Sequence, residues 1–179
     1  MKLKTHYIIS KIAAEKQNGL SPCQIRLFCI GSVLPDLSPM QFIHRHFYAK
    51  SADFVFMKLK KLNGKSSAMA MLAYGNMAHY CSDFCCSVHF QGSVGNPIKH
   101  LQYEKALAEF AGKHLKELAE KEYCPSTYSR LTDLYSDYNN TEKYNCICDL
   151  SMAIQACMLI CSQAAKTRCT AHKHTTVHA

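Results

Sequence analysis

The chain has 179 residues, and 48% of them are hydrophobic, with only 7 Gly and 5 Pro. That composition provides a core for one globular domain and argues against a disordered chain or long linkers. The formal net charge of +8 favours an anionic partner, such as a phosphate group, a nucleic acid or a membrane surface.

The N-terminal segment predicts a helix rather than a signal peptide. Its apolar run, residues 7–9, is too short for the hydrophobic part of such a peptide. Apolar residues at helical spacing instead predict a helix over 6–16 that ends near Gly19. The eleven cysteines are odd in number and lie within helical patterns. We therefore expect reduced thiols and a cytoplasmic location.

The second helix is predicted to begin after Ser21, which can cap it, and to close at Gly31. The two prolines of residues 34–39 predict an irregular segment behind it. Basic residues are densest over 58–65, which we interpret as a solvated helix end. Further helices are predicted over 40–62, 67–80, 98–122, 125–138 and 141–166.

The helix predicted over 98–122 is amphipathic, with Leu101, Ala108, Leu115 and Leu118 on its apolar side. The apolar stretch 151–165 falls short of the roughly 18 residues that a membrane-spanning helix needs, so we expect a buried helix there. No alternating Val- and Ile-rich run predicts a strand. The predicted fold class is all-α, a single-domain helical bundle over residues 1–169 with a disordered tail over 170–179.

Two pairs of potential metal ligands occur at helical spacing. His79 and Asp83 are four residues apart on one predicted helix, and His100 and Glu104 are four apart on the next. Each pair therefore projects from one face of its helix, and His89 lies in the connection between them. A single pair of this kind is usually an ordinary surface contact. Two pairs with an intervening histidine predict a metal site instead.

Three further candidates lie upstream: His6 at the opening of the first helix, Asp36 in the Pro-Asp segment, and His46. Histidine and carboxylate ligands without cysteine are typical of catalytic zinc sites, which keep a position open for water. The predicted metal ligands are His6, Asp36, His46, His79, Asp83, His89, His100 and Glu104.

The order of these motifs resembles that of the zinc-dependent phospholipase C family and of the fungal single-strand nucleases that share its helical fold. The resemblance covers residue 5 to about residue 110. It is carried by Thr5-His6-Tyr7-Ile8, Gly31-Ser32-Val33-Leu34-Pro35-Asp36, His46-Phe47-Tyr48, His79-Tyr80-Cys81-Ser82-Asp83, His89 and His100-x-x-Tyr103-Glu104.

The resemblance implies zinc ions in a helical cleft and the hydrolysis of phosphate esters. Metal ions polarise phosphoryl oxygens and lower the pKa of a bound water. Asp36 is implied both as a ligand and as the catalytic residue that orients this water or accepts its proton. The implied ligand sets are Asp36, His46, His79 and Asp83 for one ion; His89, His100 and Glu104 for a second; and His6 with a bridging Asp83 for a third.

The chain departs from this family pattern in two ways. Secreted members place an N-terminal Trp on the third zinc, whereas this sequence has no Trp, so we expect two or three ions. Members that cleave phosphatidylcholine have aromatic residues where this chain has Leu37 and Ile43. A choline-binding aromatic box is therefore not predicted.

Three functions stay open on the sequence. We expect a phospholipase C-like phosphodiesterase acting on a phosphate ester such as a phospholipid, with peripheral contact to a membrane. A single-strand nuclease is less favoured, because arginines interleaved with aromatic residues for base stacking are not evident. In the third, the chain is a non-catalytic binding domain that uses the metal for folding. The oligomeric state is not predicted.

Overall fold

The computed structural model describes residues 1–38, 46–90, 96–123 and 128–173, with side chains through residue 165. Helices account for all the regular structure of these residues, and no strand occurs among them, which confirms the all-α class. The helices are α1 Leu3–Glu15, α2 Pro22–Leu37, α3 Tyr48–Leu62, α4 Ala68–Asp83, α5 Ser87–Phe90, α6 Pro97–Lys113, α7 Leu115–Glu120, α8 Leu131–Asn139 and α9 Cys146–Lys173.

Polar caps begin three of these helices. Ser21 and Gln24 form a reciprocal capping box in front of α2. The side chain of Ser67 accepts a hydrogen bond from a backbone N–H in the first turn of α4, and Asn96 does the same for α6. These local signals explain why the predicted beginnings of α2, α4 and α6 agree with the structure to within one or two residues.

Helix α2 is longer than predicted, because Gly31 does not end it. The helix continues through Pro35, which lies in its last turn. Gly31 instead allows close packing on α4, since a Cβ atom there would lie 2.2 Å from the backbone oxygen of Leu72. Gly75 of α4 is equally close to α2: its Cβ would lie 2.1 Å from the oxygen of Phe28. The two helices therefore touch backbone to backbone.

The long helix predicted over 98–122 is two helices, α6 and α7, with His114 between them at φ −104 and ψ 22. Its buried face also differs from the prediction. Leu101 and Leu115 are 57% and 44% exposed, whereas Leu107 and Ala111 are fully buried. The inward face of α6 therefore includes its polar residues His100 and Glu104, which an apolar pattern cannot identify.

Helix α9 supplies the centre of the core against α1 and α4. The apolar stretch begins at Cys146 rather than at residue 151, and Cys146–Ala165 is long and apolar enough to cross a membrane by length and composition. Of its most apolar window, 61% is buried inside the fold. Core helices of soluble proteins have the same properties, so packing within the bundle accounts for this composition.

Several predictions fall partly on residues that the structure does not describe. The first residues of the helix predicted from 40, the loop around 92–95, and residue 125 lie outside the described ranges. Helix α9 continues to Lys173, past the predicted tail boundary at 169, and residues 174–179 lie outside the described residues. The domain boundary and the disorder of the tail stay predictions.

Candidate metal centre

The eight candidate ligands converge on one region although six segments of the chain supply them. His89, expected in a connection, lies on the one-turn helix α5. His46 precedes α3. The others are His6 on α1, Asp36 at the end of α2, His79 and Asp83 on α4, and His100 and Glu104 on α6.

Four of these residues form a first cluster. The Nε2 atom of His79 lies 3.6 Å from Oδ1 of Asp36 and 3.5 Å from Oδ2 of Asp83. The Nδ1 atom of His46 lies 3.2 Å from that same His79 nitrogen and 2.7 Å from Oδ2 of Asp83. Asp36, His46 and His79 can hold one metal ion by the mutual distances of these atoms.

A second cluster lies between α5 and α6. The Nε2 atoms of His89 and His100 are 3.1 Å apart. Oε1 of Glu104 is 3.0 Å from the His89 nitrogen and 3.3 Å from the His100 nitrogen. These three ligand atoms form a nearly equilateral triangle, and they too can hold a metal ion.

Asp83 joins the first cluster to a third group, because its two oxygens face different partners. Oδ2 belongs to the first cluster, whereas Oδ1 lies 3.4 Å from Nε2 of His6 and 2.5 Å from the α-amino nitrogen of Met1. That amine also lies 3.2 Å from Oε1 of Glu104. Nδ1 of His6 is 2.9 Å from the hydroxyl of Ser82. The His6 Nε2 atom is buried and has no hydrogen-bond partner among the described residues.

Backbone acceptors fix the tautomers of two central histidines. Nδ1–H of His79 donates to the carbonyl of Ser32 at 2.9 Å, and Nδ1–H of His89 donates to the carbonyl of His46 at 3.1 Å. When neutral, each ring therefore directs the lone pair of Nε2 into the site. This arrangement is the one that outer hydrogen bonds impose on histidines that bind metals.

Burial opposes protonation of these two rings, and it outweighs the neighbouring carboxylates that favour it. Burial lowers the pKa of His89, and it lowers the pKa of His79 well below its usual range. Burial alone would raise the pKa of Asp83, but the positively charged Met1 amine beside it holds that pKa well below its ordinary value. Burial raises the pKa of Asp36. His79 and His89 are therefore neutral imidazoles beside a buried carboxylate, whereas the hydrogen bond to Asp83 outweighs burial and raises the pKa of His46.

The geometry suits a zinc ion. Tetrahedral zinc with bonds of roughly 2.0 to 2.2 Å requires ligand atoms roughly 3.3 to 3.6 Å apart. Most of the separations within both clusters lie between 3.0 and 3.6 Å. A lone pair on His89 Nε2 so close to a Glu104 oxygen would be repulsive without a cation. The Nε2 atom of His6, which has no hydrogen-bond partner among the described residues, is a further atom that could bind a metal. The residues present therefore fit zinc ions.

A buried carboxylate outside the predicted set supports the second cluster. Asp149 of α9 is fully buried, and its oxygens accept four hydrogen bonds. The donors are the backbone N–H and hydroxyl of Ser87, at 2.8 and 3.0 Å, and the hydroxyls of Tyr138 and Tyr103, at 2.7 and 2.8 Å. Burial raises the pKa of the Asp149 carboxyl.

These bonds connect α9 to both helices of the second cluster. Ser87 lies two residues before His89 on α5, and Tyr103 directly precedes Glu104 on α6. Sequence reasoning missed Asp149 because it has no histidine partner at helical spacing. A lone acid within an otherwise apolar helix is the signal that could have identified it.

The opening of the centre is formed by its less buried members. The side chains of Asp36, His46, His100 and Glu104 are 21%, 15%, 17% and 12% exposed. Asp83 and His79 at the rear are fully buried. Asp36 therefore lies where a ligand can reach it from solvent.

The family model described as zinc-dependent phospholipase C matches residues 5–156, which include all eight candidate ligands and Asp149. No curated protein and no solved structure matches the chain.

Proposed function

Because the chain belongs to the zinc-dependent phospholipase C family, we propose that it is a zinc-dependent hydrolase of phosphate esters, with a phospholipid head group as the substrate class. The single observation that supports this activity best is the joint geometry of the two clusters. Their mixed nitrogen and oxygen ligands include partly exposed members, as a catalytic rather than a closed structural site requires.

In this proposal one ion is held by Asp36, His46, His79 and Asp83, and another by His89, His100 and Glu104. The position of His6 beside the second oxygen of Asp83 supports a third. The α-amino group of Met1 lies beside the same oxygen. We therefore propose two or three ions. When bound, zinc supplies Lewis acidity toward phosphoryl oxygens and makes water a nucleophile near neutral pH.

The protein's own side chains position the attacking water and exclude bulk solvent from the rear of the site. Asp36 is proposed to orient the attacking water and to accept its proton, since it lies at the opening and burial raises its pKa. Asp83 and His79 form the dry rear of the site, where electrostatic interactions are strongest. The nine described cysteines are free, which supports a reducing compartment such as the cytoplasm.

The test begins with metal content. Zinc per chain is measured by elemental analysis in wild type, His79→Ala, His100→Ala and the control His114→Ala. The ring of His114 contacts Glu117 of α7 and none of the candidate ligands. We expect two or three ions in wild type and in the control, and fewer in the other two. A folded, metal-free wild type would contradict the proposal.

Activity is then measured with the zinc-loaded protein on a water-soluble nitrophenyl phosphodiester, on phospholipid and on single-stranded DNA. We expect diester and phospholipid hydrolysis, reduced about 10²-fold or more in Asp36→Asn if this residue acts in proton transfer. Full metal content without turnover of any substrate would instead favour the non-catalytic binding domain. Hydrolysis of DNA alone would favour the nuclease.

A further inference from the structure

Helices α1 and α2 form an antiparallel hairpin whose outer face is exposed. Glu15 and Pro22 lie beside the turn, and Tyr7 and Ile30 face each other further along the same groove. The open ends of both helices reach the metal centre, because α1 begins at residue 3 and α2 ends at residue 37. The hairpin therefore presents one continuous surface that leads to the site.

The solvent side of this hairpin is apolar. Ile30, Leu34 and Leu37 follow one another at helical spacing on α2 and are 48%, 39% and 67% exposed. Leu3 and Tyr7 are one turn apart on α1 and are 41% and 46% exposed. We call these five residues the hairpin face. Isolated exposed apolar residues are ordinary, but a set on two adjacent helices indicates an interaction surface.

The charges around the hairpin face are predominantly positive. Lys4, Lys11 and Arg26 are exposed on the same two helices. The acid Glu15 is paired with Lys11, at 3.8 Å. Apolar side chains and a tyrosine flanked by Lys and Arg are the composition of helices that lie in the interface of a bilayer.

The hairpin face adjoins the opening of the metal centre. Leu37 directly follows Asp36, which is 21% exposed. At the other helix, Lys2 precedes Leu3 and its Nζ atom lies 3.7 Å from an oxygen of Glu104. A surface seated on the hairpin face would therefore meet the edge of the site.

We propose that the hairpin face docks the protein on an anionic phospholipid bilayer. This inference deepens the proposed function, on which it rests for its biological meaning, by identifying the surface that meets the lipid. The apolar side chains enter the boundary between head groups and acyl chains, and Lys4 and Arg26 interact with anionic head groups. Docking requires no hydrolysis, so the two proposals can fail separately.

The test is co-flotation of the zinc-loaded protein with phosphatidylcholine vesicles with and without phosphatidylserine. We expect binding that depends on phosphatidylserine and weakens with salt. Ile30→Ser with Leu34→Ser should reduce it about tenfold or more, since each removes an apolar side chain from the interface. Its matched control, Met57→Ser with Met69→Ser, changes residues 50% and 74% exposed on α3 and α4 and should bind as wild type does.

The charge requirement has its own pair of variants. Lys4→Glu with Arg26→Glu should reduce binding at least tenfold, because each cation near an anionic surface contributes about a fivefold effect. Lys60→Glu with Lys61→Glu has the same net charge, at the end of α3, and should retain most of the binding. Equal losses in the two variants would show a non-specific charge effect and overturn the proposal.

The soluble phosphodiester separates docking from chemistry. Hairpin-face variants should hydrolyse it at the wild-type rate while losing vesicle binding. Wild type that hydrolyses the diester but ignores vesicles would overturn docking alone, whereas vesicle binding without hydrolysis would overturn only the proposed function. A wild-type dimer that Ile30→Ser with Leu34→Ser converts to a monomer, without vesicle binding, would assign the face to a second copy instead.

Discussion

His6, His79 and His89 each use one ring nitrogen in an orienting hydrogen bond and leave the other for the candidate metal site. His6 shows this most clearly, because the hydroxyl of Ser82 donates to the carbonyl of His79 at 2.8 Å. That hydroxyl therefore has only lone pairs to offer the His6 ring, at 2.9 Å. The His6 ring therefore donates from Nδ1, and the lone pair of its Nε2 atom points toward Asp83, where a metal ion could bind.

Replacing this hydroxyl should weaken the third metal position. We expect Ser82→Ala to reduce the affinity for the most weakly held zinc about 10- to 100-fold, as loss of such outer partners typically does. Competition with a chromophoric chelator measures it. Ser162→Ala is the control, since Ser162 makes the same intrahelical bond, to Leu159, without a histidine. Equal zinc affinity in the two variants would contradict this role.

At this scale the sequence predicted much of the site. The i,i+4 pairs His79–Asp83 and His100–Glu104 place two ligand atoms on one helix face each, at 3.5 and 3.3 Å. Spacing could not predict Asp149, whose four donors come from three other helices and whose role is visible only after folding.

Between elements, Asp149 acts as a buried junction. Its carboxylate joins α9 to α5 through Ser87, to α6 through Tyr103 and to α8 through Tyr138. Two of these helices carry ligands of the second cluster, and α8 carries none. Separate tyrosines thus link the same acid to the metal centre and to the remaining bundle.

This arrangement predicts a difference between two tyrosine variants. Tyr103→Phe should weaken zinc binding at the second cluster about tenfold, because it loosens the helix turn that holds Glu104. Tyr138→Phe should leave zinc affinity unchanged. Both should lower the free energy of unfolding by about 1.5 to 3 kcal/mol, as the loss of a buried hydrogen bond to a charged acceptor does. Chelator competition and urea denaturation measure the two effects.

The contact between α2 and α4 makes a second prediction between elements. A methyl group at Gly75 would overlap the backbone of α2, so Gly75→Ala should cost about 3 kcal/mol or more of unfolding free energy. Gly112 has no atom within 4 Å of its Cβ position. Gly112→Ala should therefore stabilise α6 by about 0.5 to 1 kcal/mol. Equal effects in urea denaturation would contradict the close contact.

The predicted starts of helices agree with the structure where a capping residue precedes the helix. The cap at Ser21 begins α2 as predicted, and the helices behind Ser67 and Asn96 begin within one residue of their predicted starts. The predicted end of α2 at Gly31 was wrong. A glycine that allows two helices to pack closely cannot be distinguished in the sequence from a glycine that ends a helix. The break at His114 has no proline or glycine at the residue itself, so no local sequence signal marks it.

For the whole molecule, a metal ion bound at the proposed centre would cross-link distant parts of the chain. Its ligands span residues 6 to 104 and come from α1, α2, α4, α5 and α6, with His46 before α3. Without a metal cation, the carboxylate of Glu104 faces the Nε2 lone pair of His89 at 3.0 Å. Metal binding should therefore contribute directly to folding stability.

Removal of zinc should lower the melting temperature by roughly 10 °C. A ligand at a thousand times its Kd stabilises by about 4 kcal/mol, and each kcal/mol shifts the melting of a chain this size by roughly 2 to 4 °C. Differential scanning calorimetry with and without a zinc chelator tests this. Zinc should restore the original melting temperature and magnesium should not, since imidazole nitrogens bind magnesium poorly. An unchanged melting temperature would contradict the cross-link.

The buried cysteine thiols can report on transient opening of the helical bundle. Cys29, Cys81, Cys85, Cys157 and Cys161 are almost or entirely inaccessible, and burial raises the pKa of Cys29 to about 11 and of Cys81 to about 12. Folded protein therefore presents almost no thiolate at these positions. A thiol-labelling reagent can modify these cysteines only while the helices are separated. The rate of labelling therefore measures how often the core opens.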